Sequence, residues 1–498
     1  MDRTFTRAER ALTGTLRVPG DKSISHRAVL FAAMAEGTSR LSGVLDSADV
    51  RATIAAVSAL GASVKLVPDG RGALAGTVTG WGASGSQAPT SDGGSQVHTG
   101  ASGPQAPIGG DGLIDCGNSG TTARLLMGAL AGWPVRVTLT GDASLTSRPM
   151  RRVTEPLSQA GAQFVASESG TLPVAVVGTE GLKATENVLP VASAQVKGAL
   201  ILAGLRAHGR TRVTESAASR NHTELMLPAF GVPVGTDEAR HAAWVDGPVS
   251  LRATDIDIPG DPSSAAFMAA AVLLVPSSEV RLTGISLNPT RMGFFRAVRR
   301  MGAHVVVTGR GAAGDGASGQ GATGCGAAGH GTADQGRPDG HSASGPTAAA
   351  EPVGDVHVAW SPGLHATEVT PAEVPSLVDE IPALALLATQ AAGTTRFTGI
   401  GELRVKESDR LTALAEALTA LGAQAKAGED WLEVTGPCAP RACRLDALGD
   451  HRLAMCWALA GLIADGSVTV AGYEAVETSY PTFADDLGAL GYCGSQAG

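Results

Sequence analysis

The side chains best suited to moving protons sit in the last third of the chain. SLVDEIPAL sets Asp379 and Glu380 just ahead of an apolar run, and ELRVKESDRL supplies Lys406, Glu407 and Arg410. Carboxylates and a lysine in such a setting are candidates for general base and acid; positioned groups of this kind speed a reaction by about 10²–10⁴-fold. On one continuous helix the i, i+4 spacing puts Lys406 and Arg410 on the same face. A charged helix start is also what a capped, solvated terminus looks like. GDHRLAM adds Asp450, His451 and Arg452 before another apolar run, where a lone histidine is more often structural.

Other segments carry groups that hold anions. RVPGDKSISHRAVL brings Lys22, Ser23, Ser25, His26 and Arg27 into the start of an apolar stretch. A lysine, a hydroxyl and an arginine beside free helix N–H groups suit a phosphate or carboxylate. It is no nucleotide P-loop: G-x-x-x-x-G-K-S/T needs glycine directly before the lysine, and Asp21 stands between them. DCGNSGTTARLL offers Asn118, Ser119, Gly120, Thr121 and Arg124, and a glycine among small hydroxyl residues lets amides approach an anion closely. GDASLTSRPM adds Arg148, PVASAQVKGAL adds Ser193, Gln195 and Lys197, and SRNHTE adds Arg220.

These loops recur at matching places in a repeated unit. Loops opening at Lys22, Asn118, Ser193, Asp261, Asp379 and Asp450 each lead into an almost wholly apolar run, such as GALILAGL or AAFMAAAVLLV. A strand follows, such as VRVTLT or VTVAG, and then usually an amphipathic helix ending on a glycine corner, as in SALGASV and RRMGAHV. A helix apolar on every side belongs in the interior, so the six should be central, with sheets and amphipathic helices around them. Polar residues are thereby gathered at the starts of buried helices.

The chain has 498 residues, 43% of them hydrophobic, and a net charge of −9. That length favours two domains, with the units dividing three and three. The charge argues against nucleic acid or an anionic membrane as general partners, so an anionic ligand must meet a local basic cluster. Residues 80–110 and 310–352 are Gly-, Ala-, Ser- and Pro-rich and are expected to be disordered insertions. Cysteines at 116, 325, 438, 443, 456 and 493 show neither metal-ligand spacing nor a secreted framework. No signal peptide or membrane span is evident, so a cytoplasmic location is expected.

KSISHRA, GNSGTTARLL, GDASLTSRPM, VASAQVKGA, GDPSSAAF, LNPTRMG, DEIPALALLATQ, LRVKESDR and GDHRLAM, in this order, resemble 5-enolpyruvylshikimate-3-phosphate synthase. The forms VASAQVK and SRNHTE resemble the bacterial subgroup that includes Bacillus-like enzymes. The resemblance implies an α/β, two-domain enolpyruvyl transferase fold, an inside-out α/β barrel with three βαβαββ units per domain and buried helices. The chain would cross between domains near Gly20 and near 252–256, joining 1–20 with 253–498 and leaving 21–252 as the other domain. It implies transfer of the enolpyruvyl group of phosphoenolpyruvate to the 5-hydroxyl of shikimate 3-phosphate, with no metal or organic cofactor, by a monomer. Lys22, Ser23, Arg27, Ser193, Ala194, Gln195, Arg220, Asp379 and Lys406 would hold shikimate 3-phosphate. Lys22, Asn118, Gly120, Arg148, Gln195, Arg410 and Arg452 would hold phosphoenolpyruvate. Asp379, Glu407, Lys22 and Lys406 would carry the chemistry, and Gly120 implies sensitivity to glyphosate. UDP-N-acetylglucosamine enolpyruvyl transferase is the nearest alternative, but GDASLTSRP has no counterpart of its reactive-loop cysteine. A non-catalytic anion-binding relative would not need Asp379, Lys406 and Glu407.

Overall fold

The computed structural model describes residues 1–70, 72–82, 111–309 and 351–497. The stretches expected to be disordered insertions, 80–110 and 310–352, fall almost wholly outside these residues. Their described ends belong to the fold: Trp81 is buried and donates its amide to Ala33 O at 2.8 Å, and Glu351 is buried too.

Helices Lys22–Met34, Gly120–Ala131, Ala194–Gly204, Pro262–Leu274, Ile381–Ala388 and His451–Gly461 form the interior. Every residue of Pro262–Leu274 is buried, as a sequence with no polar face requires. Most of the six begin on a side chain that accepts an otherwise unmet amide. Asp21 takes Ile24 N–H, Ser119 takes Thr122, Ser193 takes Val196, Asp261 takes Ser263 and Asp450 takes Arg452. Ile381–Ala388 lacks this cap, because the Glu380 carboxylate accepts from Ser263 Oγ instead.

Around the helices the described strands form six sheets of four strands. In the first, Thr38–Leu45 pairs in parallel with Ile256–Asp257 and antiparallel with Ala73–Thr79, which pairs with Ser63–Pro68. The last sheet takes in the start of the chain: Arg3–Thr6 lies between Asp465–Ala471 and Ser495–Ala497. Amphipathic helices such as Ala48–Ala59 and Gly293–Arg300 end at Gly61 and Gly302, whose φ of +101° and +92° suit glycine.

Buried apolar residues form two clusters, one from residues 5–18 with 265–492 and one from 24–258. The two crossings between them are bonded to each other, Asp21 N–H to Pro259 O at 2.7 Å and Asp261 N–H to Pro19 O at 2.9 Å. The second crossing comes later than the expected boundary after 252. Ile256 and Ile258 pack with the 24–258 cluster, and Ile256 pairs with Leu41 as the parallel edge of the first sheet. Lys406 and Arg410 do not share a helix either. Gly401–Val405 is a 3₁₀ turn, and Arg410–Ala420 starts afresh behind Asp409, which accepts from Thr412 N–H. Such a cap gives the backbone an alternative to continuing the helix.

Candidate active site

A cleft of about 350 Å³ opens where the central helices begin, lined from both clusters. Every residue assigned a role from the sequence resemblance lines it, from Lys22 through Arg452. On one wall Lys22, Ser23 and Arg27 occupy the opening turns of the first helix. The Lys22 ammonium pairs with Asp49 of the following helix. Arg27 is buried, donates to Thr223 Oγ1 at 2.8 Å and Ser23 O at 3.0 Å, and burial brings its guanidinium down to about 10.

Asn118 and Gly120 stand at the start of the second helix. Asn118 Oδ1 accepts from Arg148 Nη2 at 2.8 Å, and its Nδ2 donates to Asp142 Oδ2 at 2.7 Å. Ser193, Ala194 and Gln195 open the third. Gln195 is gripped at both ends of its amide: Arg124 Nη1 donates to Oε1 at 2.7 Å, and Nε2 donates to Thr121 Oγ1 at 2.9 Å. A side chain at 120 would disturb this, since a Cβ there would lie 2.6 Å from Arg124 Nη1. Lys197 is not in the cleft. It is buried below, 2.7 Å from Glu215 Oε2 and 2.8 Å from Glu224 Oε1, and Glu215 Oε1 in turn accepts Ser193 N–H at 2.8 Å.

On the opposite wall Arg410 is the hub. It is 1% exposed and donates to Asp450 Oδ2 at 2.7 Å, Glu407 Oε2 at 2.5 Å and Asp379 Oδ1 at 3.4 Å. Lys406 Nζ donates to Glu402 Oε1 at 2.8 Å. Two ion pairs span the gap: Arg220 with Asp379, and Arg148 Nη1 with Glu407 Oε1 at 3.9 Å.

Burial by itself would raise Asp379, but Arg220, Lys406, Arg452 and Arg410 outweigh it and hold the carboxyl well below the usual range. Glu407 is treated alike: burial raises it, while Arg410 foremost, with Arg148 and Lys22, holds it low. Glu380 goes the other way, raised by burial and by its neighbour Asp379. His451 is pushed well below its ordinary value by burial, Lys22 and Arg452, so it is neutral. Arg148 Nε and Arg452 Nε are buried donors without a hydrogen-bond partner. Buried donors are nearly always paired, so two such guanidiniums in one cleft are what an anion would satisfy. Among the described residues no group of His, Cys, Asp or Glu is arranged to hold a metal ion.

Sequence reasoning offered Arg124 only as one of several anion-holding groups in its loop and gave no site role to Asp49, Glu402 or Arg291, yet all four line the cleft. Arg124 had a signal, lying one helical turn after Gly120. Asp49 and Glu402 had none, because they work by pairing with lysines whose position only the fold reveals.

A family profile described as EPSP synthase (3-phosphoshikimate 1-carboxyvinyltransferase) matches residues 6–80, 85–322 and 347–487. The 3-phosphoshikimate 1-carboxyvinyltransferase of Halorhodospira halophila is 41% identical over 481 residues, 97% of this chain and 94% of that protein. Its namesake from Roseobacter denitrificans is 40% identical over 486 residues, 96% and 94%. Among solved structures, EPSP synthase from Acinetobacter baumannii superposes with a TM-score of 0.77 at 34% identity, covering 99% of each chain. The enolpyruvyl transferase NikO from Streptomyces tendae, 18% identical, shares the fold with a TM-score of 0.68 over 99% of this chain and 98% of that one. The chain belongs to the EPSP synthase family, the 3-phosphoshikimate 1-carboxyvinyltransferases.

Proposed function

We propose that the cleft binds shikimate 3-phosphate and phosphoenolpyruvate side by side and joins them by addition and elimination. The observation that supports this most is the meeting of Lys22, Arg148, Asp379, Lys406 and Arg452 on one gap, although they lie far apart in sequence. Both substrates carry a phosphate and a carboxylate, so an acidic protein must gather its cations locally.

In this reading Lys22, Ser23, Arg27, Ser193, Ala194, Gln195 and Arg220 hold shikimate 3-phosphate. Lys22, Asn118, Gly120, Arg148, Gln195, Arg410 and Arg452 hold phosphoenolpyruvate. Asp379, kept ionised, takes the proton of the 5-hydroxyl as that oxygen attacks C2 of phosphoenolpyruvate. Lys406 delivers a proton to C3, giving a tetrahedral intermediate that still carries the phosphate. Glu407, also kept ionised, then removes a proton from the new methyl group as phosphate leaves. The free cleft's charge pattern thus favours Glu407 as proton remover over proton donor.

Residues 1–20 with 253–498 and residues 21–252, with the second boundary shifted to 258 because Ile256 and Ile258 pack with the 24–258 cluster, act as two domains that close on the substrates and exclude water. The protein is a cytoplasmic monomer in this reading, with no nucleic acid or membrane partner; no helix among the described residues is long and apolar enough to cross a membrane. The expected likeness to the Bacillus-like subgroup finds no support, because the relatives quoted above are proteobacterial. Phosphate release from phosphoenolpyruvate tests the reading. It should require shikimate 3-phosphate; release prompted equally by UDP-N-acetylglucosamine, or by neither acceptor, overturns it.

A further inference from the structure

The LNPTRMG segment has no part in the reaction just described. It makes a short turn, Pro289–Arg291, capped by Asn288. Arg291 is 3% exposed, yet its guanidinium meets side chains from both sides of the molecule. Nη1 donates to Asp21 Oδ2 at 2.7 Å, and Nη2 donates to Asp261 Oδ1 at 2.9 Å and to Ser263 Oγ at 2.7 Å. His222 Nε2, from the 24–258 side, lies 3.4 Å from Nη1, and its other ring nitrogen bonds Glu351.

Asp21 and Asp261 are the residues at which the chain passes between the two cores. Their amides already tie the crossings together through Pro259 O and Pro19 O. The same carboxylates cap the first and fourth central helices, and Asp261 Oδ2 also accepts the N–H of Lys22 at 3.1 Å. The backbone here has little room to slide, since a Cβ on Gly20 would fall 1.9 Å from Gly43 O.

We infer that Arg291 is a positioning residue: it pins the two crossings to each other and thereby fixes where Lys22 stands between the walls of the cleft. Two buried carboxylates this close would repel, and each would lose its direct ion-pair partner without the guanidinium. Only a planar fork of donors reaches both of them and Ser263 at once; an ammonium is a point charge on a flexible stem. Burial would raise Asp261, but Arg291 and then Arg452 hold it below the usual range, so the pin carries opposite charges.

The inference rests on Lys22 serving the proposed reaction. The test compares Arg291→Lys and Arg291→Gln with the parent by kcat and KM for both substrates per folded molecule, well below the melting temperature. It adds amide hydrogen exchange at Asp21 and Asp261 in the parent and the lysine variant. The parent amides should exchange as slowly as those of the central helices, and faster in Arg291→Lys. Both variants should raise KM for both substrates and lose about 10²-fold in kcat/KM, the lysine giving no rescue. Parental kcat/KM in Arg291→Lys overturns the inference. Should the variants fail to fold, rapid exchange of the two amides in the parent overturns it instead, and slow exchange upholds it. A parent that releases no phosphate sinks the reading of the cleft, while the exchange result still decides the pin.

Discussion

The two walls of the cleft are charged differently. The wall from the first half presents Lys22, Arg27, Arg124, Arg148 and Arg220, with Asp49 as the carboxylate among its described lining residues. The wall from the second half interleaves Asp379, Glu402 and Glu407 with Lys406, Arg410 and Arg452. A basic wall can hold and orient dianions. A mixed wall can also move protons, because Asp379 and Glu407 are kept ionised by neighbouring cations and so stay available as bases. The pairs Arg220–Asp379 and Arg148–Glu407 show that the walls face each other closely enough to share charge.

Substitutions should therefore separate by wall. The largest effect belongs to Asp379→Asn, which should lower kcat by about 10²–10⁴-fold while leaving KM for both substrates near parental. Full turnover by this variant would remove the assigned base and with it the contrast. Arg148→Gln should act on the other parameter, raising KM for phosphoenolpyruvate about 10–100-fold, as loss of a charged hydrogen bond worth about 1.5–3 kcal/mol implies. A collapse of kcat with KM unmoved would mean that the basic wall shares in the chemistry.

A third effect concerns stability. Asp379 has a folded-state pKa below its unfolded value, so its contribution is complete above the ordinary aspartate value of about 3.9 and is lost as pH falls through the folded value. Melting temperature measured from about pH 5 down to about pH 2 should fall more steeply in the parent than in Asp379→Asn. Parallel curves would show that the mixed wall's cations do not hold this carboxylate. The smallest effect on the parent reaction belongs to Gly120→Ala. Its methyl must displace the end of Arg124, which holds Gln195, so KM for phosphoenolpyruvate should rise modestly and glyphosate inhibition should weaken. Superimposable inhibition curves for the two proteins would dismiss a role for the glycine.

Much of this site can be read from residue order because capping and burial are local. A polar residue ahead of a wholly apolar run has to be a helix start, and an all-apolar helix has to be internal; Asp21, Ser193 and Asp450 follow that rule. Lys197 shows where the rule stops. It lies in an anion-binding loop by position, yet one turn further into the helix it points to Glu215 and Glu224 and serves as a buried strut. Glu351 is a second case, a carboxylate at the edge of a low-complexity stretch that is buried against His222 and Asn288.

Helix periodicity, capping residues and apolar content act over a few positions, and they are enough to set six buried helices with polar starts. Which wall receives which charge depends on contacts between segments 159 and 270 residues apart, such as Arg220 with Asp379 and Arg291 with Asp21. Those pairings follow from how the two cores pack and where the chain crosses between them. Coulombic attraction and desolvation depend on distance in space, which residue order does not contain.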